Sequence, residues 1–112
     1  MSSGQMIARR CYDVEVIYEW DPVKAARNRR KHGVSFVEAR SVFLDPMALT
    51  FGDPDHSEEE HREITIGVSA KERVLFVSHC MRGEQMRIIS ARKAQRKEVE
   101  QYAERIGSSE SR

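Results

Sequence analysis

The sequence offers few means of cross-linking the chain or of anchoring it in a membrane. Its 112 residues include only two cysteines, Cys11 and Cys80, and their spacing matches no zinc motif. No apolar run approaches the roughly 18 residues of a membrane-spanning helix. The N-terminus has no apolar segment of the kind found in secretory signals. These absences argue against a disulfide framework and a membrane partner, and they favour a reduced, cytoplasmic domain in which Cys80 is a small buried residue.

Charged residues, in contrast, are abundant, and their distribution is uneven. The 19 basic and 18 acidic residues give a net charge of only +1. Residues 24–31 nevertheless hold five basic side chains and no acid, and residues 82–97 hold six basic side chains against Glu84 alone. Residues 53–63 hold six acids against Arg62. The near-neutral sum therefore conceals two basic blocks and one acidic block, and the lysines and arginines of the two basic blocks are expected to converge on a single shallow surface.

Capping residues predict two helices in the first half of the chain. Asp21 is expected to cap a helix that begins at Pro22 and ends at Gly33. Ser35 is expected to cap a second helix, with Glu38 three residues later completing a capping box.

Apolar alternation predicts the strands of one sheet. The segments are residues 14–20, 47–51, 62–70, 74–81 and 85–90. Short turns between the last three predict antiparallel pairing. A third helix should follow, because apolar residues recur at helical spacing over 99–106. The order assigned to the chain is β-α-α-β-β-β-α, which counts three strands after the second helix and describes an α+β domain with a mainly antiparallel sheet flanked by helices.

The boundaries of this domain follow from the same pattern. A single domain is predicted over residues 14–106. Residues 1–13 are predicted to be a flexible N-terminal extension, and residues 107–112, with the sequence GSSESR, a disordered tail.

The first helix gathers its polar cations on one side. At about 100° per residue, Lys24, Asn28, Lys31 and His32 share one arc about 100° wide, whereas Val23 and Ala26 would form a narrow packing stripe. Like charges at this spacing repel one another on an isolated helix. The arc therefore suits a polyanion or an acidic protein partner, and the alternative is a solvated basic face.

The second basic block adds arginines to a strand. Strict alternation predicts that Met86, Ile88 and Ser90 face one way and that Arg87 faces the other. Arg92 is expected where the last helix begins. Arginine can bind a phosphodiester in a bidentate manner. The alternative for any one of these arginines is a surface ion pair, but this alternative is weaker for Arg87, because it lies in the middle of an otherwise apolar strand.

The acidic segment raises the question of a metal site. His56 and His61 lie among acids over residues 53–63, but two histidines four residues apart in a loop define no coordination geometry. A solvated loop is the favoured interpretation, and no metal or other cofactor is predicted.

Two blocks of the sequence resemble the BrnT toxin family of type II toxin–antitoxin systems. They are EWDPVKAARNRRKHGVSFVEA, from residue 19, and RIISARKA, from residue 87, separated by DP and REITIG. The matching residues are Trp20, Asp21, Lys24, Asn28, Lys31, His32 and Gly33, then Arg62, Arg87, Ser90, Arg92, Glu98 and Tyr102. The resemblance implies a RelE-like fold, RNA cleavage that inhibits translation, and neutralisation by a BrnA-like antitoxin in a hetero-oligomer. Contact with operator DNA would be made only through the antitoxin.

A mechanism can be assigned to these residues as a hypothesis. In metal-independent RNA cleavage the 2′-hydroxyl attacks the adjacent phosphorus, and histidine is the usual proton carrier near neutral pH. His32 is predicted to act as general acid or base, although an interaction with the end of its helix would also explain it. Arg87 and Arg92 would stabilise the phosphorane, with Arg62 as a further clamp. The predicted RNA-binding residues are Lys24, Asn28 and Lys31.

Two other functions compete with this hypothesis. A non-catalytic basic module that binds an acidic protein or a nucleic acid would use the same cations without turnover. A metal-dependent nuclease would instead use the acidic segment.

Overall fold

The described part of the chain folds into two strands, two helices, four further strands and a last helix. The computed structural model describes residues 8–9, 15–54 and 61–110. The elements are β1 (Ala8–Arg9), β2 (Glu15–Glu19), α1 (Pro22–His32), α2 (Phe36–Ser41), a 3-10 turn (Val42–Leu44), β3 (Leu49–Gly52), β4 (Glu63–Val68), β5 (Val74–Arg82), β6 (Gln85–Lys93) and α3 (Arg96–Glu110). None of the helices in these ranges is long and apolar enough to cross a membrane.

The strands form one sheet in the order β1-β2-β6-β5-β4-β3. The antiparallel pairing of β4, β5 and β6 confirms the prediction from their short turns. β2 pairs with β6 in parallel, and its last residue, Glu19, lies opposite Arg87. Because β2 stops there, no strand of the described ranges lies beside the second half of β6 on that edge, and α1 lies along this part of β6 instead.

The structure corrects three details of the predicted fold. Four strands follow α2, so the assigned order β-α-α-β-β-β-α counts one strand too few. The segment 1–13 contains a short strand, Ala8–Arg9, which pairs antiparallel with β2. The last helix continues to Glu110 and therefore enters the predicted tail, 107–112.

Capping is confirmed at both predicted helix starts. The Asp21 side chain accepts a hydrogen bond from the Val23 N–H at 2.9 Å, and Ser35 Oγ accepts one from the Glu38 N–H at 3.0 Å. Gly33 ends α1 with φ of 72°, a left-handed conformation that glycine adopts without strain. The capping box is only half formed, because the Glu38 carboxylate points away to Ser69 and Arg73.

The two faces of the sheet carry cores of different size. The face under α2 holds eleven buried apolar residues in one cluster: Val16, Tyr18, Val34, Phe36, Ala39, Val42, Leu75, Val77, Met86, Ile88 and Ala91. On the other face, α3 packs Tyr102 against only Ile64 and Ile66, with a rim of half-buried side chains. Cys80 is buried, as predicted. The small second core leaves part of that face open.

Helix α1 is attached in an unexpected way. The predicted stripe of Val23 and Ala26 is wrong, because both residues are exposed. Ala25 packs against the main core instead, and Asn28 is the one buried residue of the helix. The helix is therefore held mainly by a polar side chain.

Candidate functional site

A β-bulge determines which side chains of β6 share a face. Ser78 pairs with Ser90, but the next residue of β5, His79, pairs with Ile88, so Ile89 is an extra residue in β6. A bulge of this kind re-aims the side chains that follow it. The prediction that Ser90 faces the same way as Met86 is therefore wrong. Ser90 and Arg92 lie on the face of Arg87, because the bulge shifts the alternation by one residue.

The buried amide of Asn28 bonds to β6 directly after this bulge. Its Nδ2 donates to the carbonyl oxygens of Ala91, at 2.8 Å, and Val34, at 3.0 Å. Its Oδ1 accepts from the Ala91 N–H at 3.1 Å. Both amide hydrogens and the amide oxygen are thus bonded to backbone. These bonds give Asn28 a structural role and leave neither of its amide hydrogens for the predicted contact with RNA.

One cavity lies between α1 and β6, and we call it the helix cavity. Its volume is about 220 Å³, and it is lined by Lys24, Arg27, Asn28, Lys31, His32, Ile89 and Ser90. The structure thus brings together the four residues of the predicted cationic arc. Among the described residues, no basic side chain of α1 forms an ion pair. The positive charge of this cavity is therefore not neutralised by the part of the chain that is described.

A second cavity lies on the open part of the sheet, and we call it the sheet cavity. Its volume is about 270 Å³, and it is lined by Asp53, Arg62, Ile64, Phe76, Ser78, Ser90 and Arg92. Two of the predicted arginines, Arg62 and Arg92, meet here, although they are 30 residues apart in the chain. Arg62 directly precedes β4, and Arg92 lies near the end of β6.

Arg92 is held in place on two sides. Its guanidinium carbon lies 3.9 Å from the centre of the Phe76 ring. Glu98 accepts two hydrogen bonds from it, at 2.9 and 3.0 Å. Burial alone would raise the pKa of Glu98, but the hydrogen bonds from Arg92 and from the Gln95 N–H hold it below its usual range. The carboxylate is therefore a stable partner for the arginine.

The two cavities adjoin, because Ser90 lines both. Their walls combine five basic side chains with a single carboxylate, that of Asp53. A surface of this composition concentrates anions, and arginine and lysine together suit a chain of phosphates.

Arg87 does not join this group. It lines neither cavity, and its Nη1 lies 3.4 Å from a carboxylate oxygen of Glu19. It shares a face of the sheet with Arg92 but lies nearer the start of β6. The predicted convergence thus holds for Lys24, His32 and Arg92 around Ser90, and Arg87 is peripheral to them.

The predicted acidic loop falls mostly outside the described residues, because 55–60 are not described. In the ranges that are described, no three histidine, cysteine or carboxylate side chains are grouped as metal ligands.

Several residues of the site were not predicted from the sequence. They are Arg27, Asp53, Phe76, Ser78 and Ile89. Ser78 interrupts an apolar strand and could have been noticed on that ground. Phe76 gave no signal, since its role depends on the position of Arg92. Trp20 and Tyr102 are packing residues, as expected: Trp20 lies edge-on to Phe36, and the Tyr102 hydroxyl donates to Asp45 at 2.6 Å.

Comparison with known proteins places these features in context. Residues 20–98 match a family model described as the ribonuclease toxin BrnT of type II toxin–antitoxin systems. The fold is similar to the 1.1 Å crystal structure of the Brucella abortus ribonuclease toxin BrnT, with a TM-score of 0.54 and 24% sequence identity. The alignment covers 69% of this chain and 94% of that one. A search of curated proteins found no match.

Proposed function

Since this chain belongs to the BrnT family of ribonuclease toxins of type II toxin–antitoxin systems, we propose that it is an endoribonuclease that cleaves RNA without a metal ion. One observation supports this most directly: Ser90 joins two cavities that bring cations from α1 and arginines from the sheet to one surface.

The proposed reaction uses the hydroxyl group of the substrate as nucleophile. A base removes the 2′-hydroxyl proton, the O2′–P bond forms, the P–O5′ bond breaks, and an acid protonates the departing O5′. The products are a 2′,3′-cyclic phosphate and a 5′-hydroxyl. His32 is the imidazole that lines the helix cavity, and we assign to it one of the two proton transfers.

Arg92 and Arg62 are assigned to the phosphorane. Arg92 uses three of its five N–H groups on Glu98 and the Lys93 carbonyl. Its Nε hydrogen and one Nη2 hydrogen have no acceptor among the described contacts. A guanidinium fixed in this way can donate to a developing dianion without first rearranging, which is the main requirement for electrostatic stabilisation.

The lysines of α1 have a different task in this proposal. Lys24 and Lys31 line the helix cavity beside His32 and would bind phosphates that flank the cleaved bond. Arg87, on the same face of the sheet but outside both cavities, would contact the RNA chain further along, in exchange for its long ion pair with Glu19.

A partner protein follows from the family. A toxin of a type II system has a protein antitoxin, and we propose that a BrnA-like protein binds this chain, prevents cleavage, and alone contacts operator DNA. We also propose that cleavage inhibits translation. Growth arrest on expression, with rescue by co-expression of the antitoxin, tests both statements.

The test of the cleavage chemistry is an assay with purified protein and a short RNA in EDTA. We expect cleavage, 2′,3′-cyclic phosphate ends, and no cleavage at a position that carries a 2′-deoxy substitution. Cleavage that EDTA abolishes would indicate a metal-dependent nuclease. RNA that binds but stays intact, with or without Mg²⁺, would indicate a basic binding module.

Two variants provide the matched comparison for His32. His32→Gln is expected to reduce cleavage strongly, whereas Arg30→Ala, on the same helix but outside both cavities, should cleave as the unaltered protein does. Equal rates in both variants would remove His32 from the mechanism.

A further inference from the structure

We infer that Asn28 is a positioning residue: it holds the cations of α1 in register with Arg92, and cleavage depends on that register. The inference rests on the proposed function, because it concerns how the two halves of the same site are kept together. It assigns to Asn28 no contact with RNA.

Apart from Asn28, few side chains attach α1 to the rest of the domain. Val23 is 64% exposed, and Asn28, at 7%, is the one buried residue of α1. A helix held by an apolar stripe can shift along it with small changes in free energy, since such packing is non-directional. The three hydrogen bonds of this buried amide are directional. They therefore fix both the rotation of α1 about its axis and its position along that axis.

Most of the hydrogen bonds of Asn28 end on the strand that carries Arg92. Two of the three are made with Ala91, which lies between Ser90 and Arg92 on β6. Ser90 lines both cavities, and Arg92 lines the sheet cavity. Asn28 itself is four residues from Lys24 and His32, so that all three lie on one side of α1. One side chain therefore connects the helix that carries His32 to the strand that carries Arg92.

Beside Ala91, the Asn28 amide takes the place of a neighbouring strand. Because β2 ends opposite Arg87, no strand in the part of the chain that is described pairs with the N–H and C=O of Ala91 on this edge. Asn28 supplies both an acceptor and a donor, as a neighbouring strand would. It does so one residue after the pair Ser90–Ser78, where the bulge has just re-aimed the chain. The buried N–H and C=O of Ala91, two residues after the bulge, are thereby satisfied, and the backbone next to Arg92 is held in place.

Two substitutions separate shape from hydrogen bonding. Asn28→Ala removes all three bonds. Asn28→Asp keeps the size of the side chain but places an oxygen against the carbonyls of Val34 and Ala91, so that both donors are lost. The control is Ile66→Val, a conservative change in the second core that touches neither cavity.

The measurements are chosen to distinguish positioning from stability. They are the single-turnover cleavage rate at saturating RNA, the affinity for the same RNA with a 2′-deoxy substitution at the cleaved position, and the hydrogen exchange of the Ala91 amide. Both Asn28 variants are expected to cleave about 10- to 100-fold more slowly while affinity changes by less than about threefold, since small misplacement of reacting groups affects the rate more than binding. Exchange at Ala91 should rise in Asn28→Ala, and Ile66→Val should change none of the three.

Three outcomes would overturn the inference. In the first, a folded Asn28→Ala variant cleaves at the rate of Ile66→Val. In the second, affinity falls and the saturated rate is unchanged, which would make Asn28 a binding residue. In the third, neither Asn28 variant folds although Ile66→Val does, which would restrict Asn28 to stability.

The failure of the inference can be told from failure of the proposed function. If the unaltered protein does not cleave RNA, the proposed function fails on that ground. The amide resonances of α1 and the exchange of Ala91 in Asn28→Ala then still show whether this side chain positions the helix, and unchanged values would overturn the structural half of the inference as well.

Discussion

Two arginine–glutamate pairs in this molecule have similar chemistry and different surroundings. Arg73 and Glu38 connect the loop before β5 to α2, and Arg92 and Glu98 connect β6 to α3; in each pair both carboxylate oxygens accept a hydrogen bond from the arginine. What differs is the surroundings of each pair. Arg73 also donates to the Gly33 carbonyl, and Ser69 donates to Glu38. Arg92 instead lines the sheet cavity, and its Nε hydrogen and one Nη2 hydrogen have no acceptor among the described residues.

Under the proposed function, an arginine–glutamate pair is structural on one side of the sheet and catalytic on the other. Glu38 is almost fully buried under the larger core, and the hydrogen bond from Arg73 holds the pKa of its carboxyl below its usual range. The Glu38 carboxylate there accepts hydrogen bonds from both Arg73 and Ser69, and Arg73 also donates to the Gly33 carbonyl. Around Arg92 the smaller core leaves space, so a fixed guanidinium borders an open surface.

Replacing Arg92 should affect cleavage most. Arg92→Ala is expected to lower the single-turnover rate about 100- to 1000-fold, the range seen when one donor to a developing anion is removed. Arg96→Ala is the control, since that side chain is 92% exposed and lies outside both cavities. A rate for Arg92→Ala within a few-fold of the control would remove the arginine from the mechanism.

The pH dependence of the free energy of unfolding should distinguish a further buried group, His79, from the two arginine–glutamate pairs. His79 is 2% exposed, its Nε2 lies 2.7 Å from Thr65 Oγ1, and burial lowers its pKa to about 4. The unfolded chain binds a proton near pH 6.5 and the folded protein only near pH 4, so stability is fully present above about pH 6.5 and falls as the pH decreases toward 4. The loss should be on the order of 3 kcal/mol.

The two glutamates do not contribute to the loss of stability that begins near pH 6.5. The pKa of Glu38 and that of Glu98 are both lowered, so their contributions are lost only as the pH falls below about 4.5. Urea denaturation of His79→Gln between pH 6.5 and 5 should therefore show a flat profile where the unaltered protein declines. The same decline in both proteins would assign the effect to another group.

Glutamate substitutions test the contrast directly. Glu38→Ala should cost about 2–3 kcal/mol of unfolding free energy, somewhat less than a fully buried pair because the Arg73 side chain is 30% exposed. Glu98→Ala should cost about 1 kcal/mol yet slow cleavage more per folded molecule, because Arg92 loses its fixed position. Denaturant titration and single-turnover cleavage on the same samples give both quantities, and the reverse ranking of the cleavage effects would contradict the account.

The smallest effect is expected at the lysines. Lys24→Ala should shallow the log–log dependence of RNA affinity on salt by about 0.7, the value for one phosphate contact on a single strand. Arg29→Ala removes one charge from the same helix outside both cavities and is the matched control. An equal change of slope in both variants would mean that the helix attracts RNA only through its overall charge.

Local sequence signals predicted the elements better than the way they fit together. The caps at Asp21 and Ser35 and the end of α1 at Gly33 depend on neighbouring residues, and all three were predicted. The bulge at Ile89 was not, because its apolar side chain continues the strand pattern and the extra residue is visible only in the pairing of β5 with β6. Since the face of every later side chain depends on it, Ser90 was assigned to the wrong side.

The site shows the same limit. The arc of Lys24, Lys31 and His32 follows from helical geometry and could be predicted. The clamp made by Asn28 could not, since it joins residues 63 positions apart and depends on where β2 stops. Arg87 was expected at the centre because it interrupts an apolar strand, but its partner Glu19 lies on the parallel strand, a pairing that no local turn signals.

The central claim is that the two cavities form one RNA-binding surface across Ser90. Titration of the isotope-labelled protein with a short RNA that carries a 2′-deoxy substitution at the cleaved position tests it most directly. The account predicts that amide resonances of α1 around Lys31 and of β6 around Ser90 and Arg92 shift together and yield one dissociation constant. Shifts confined to the helix, or to the strand, or two separate constants would contradict it.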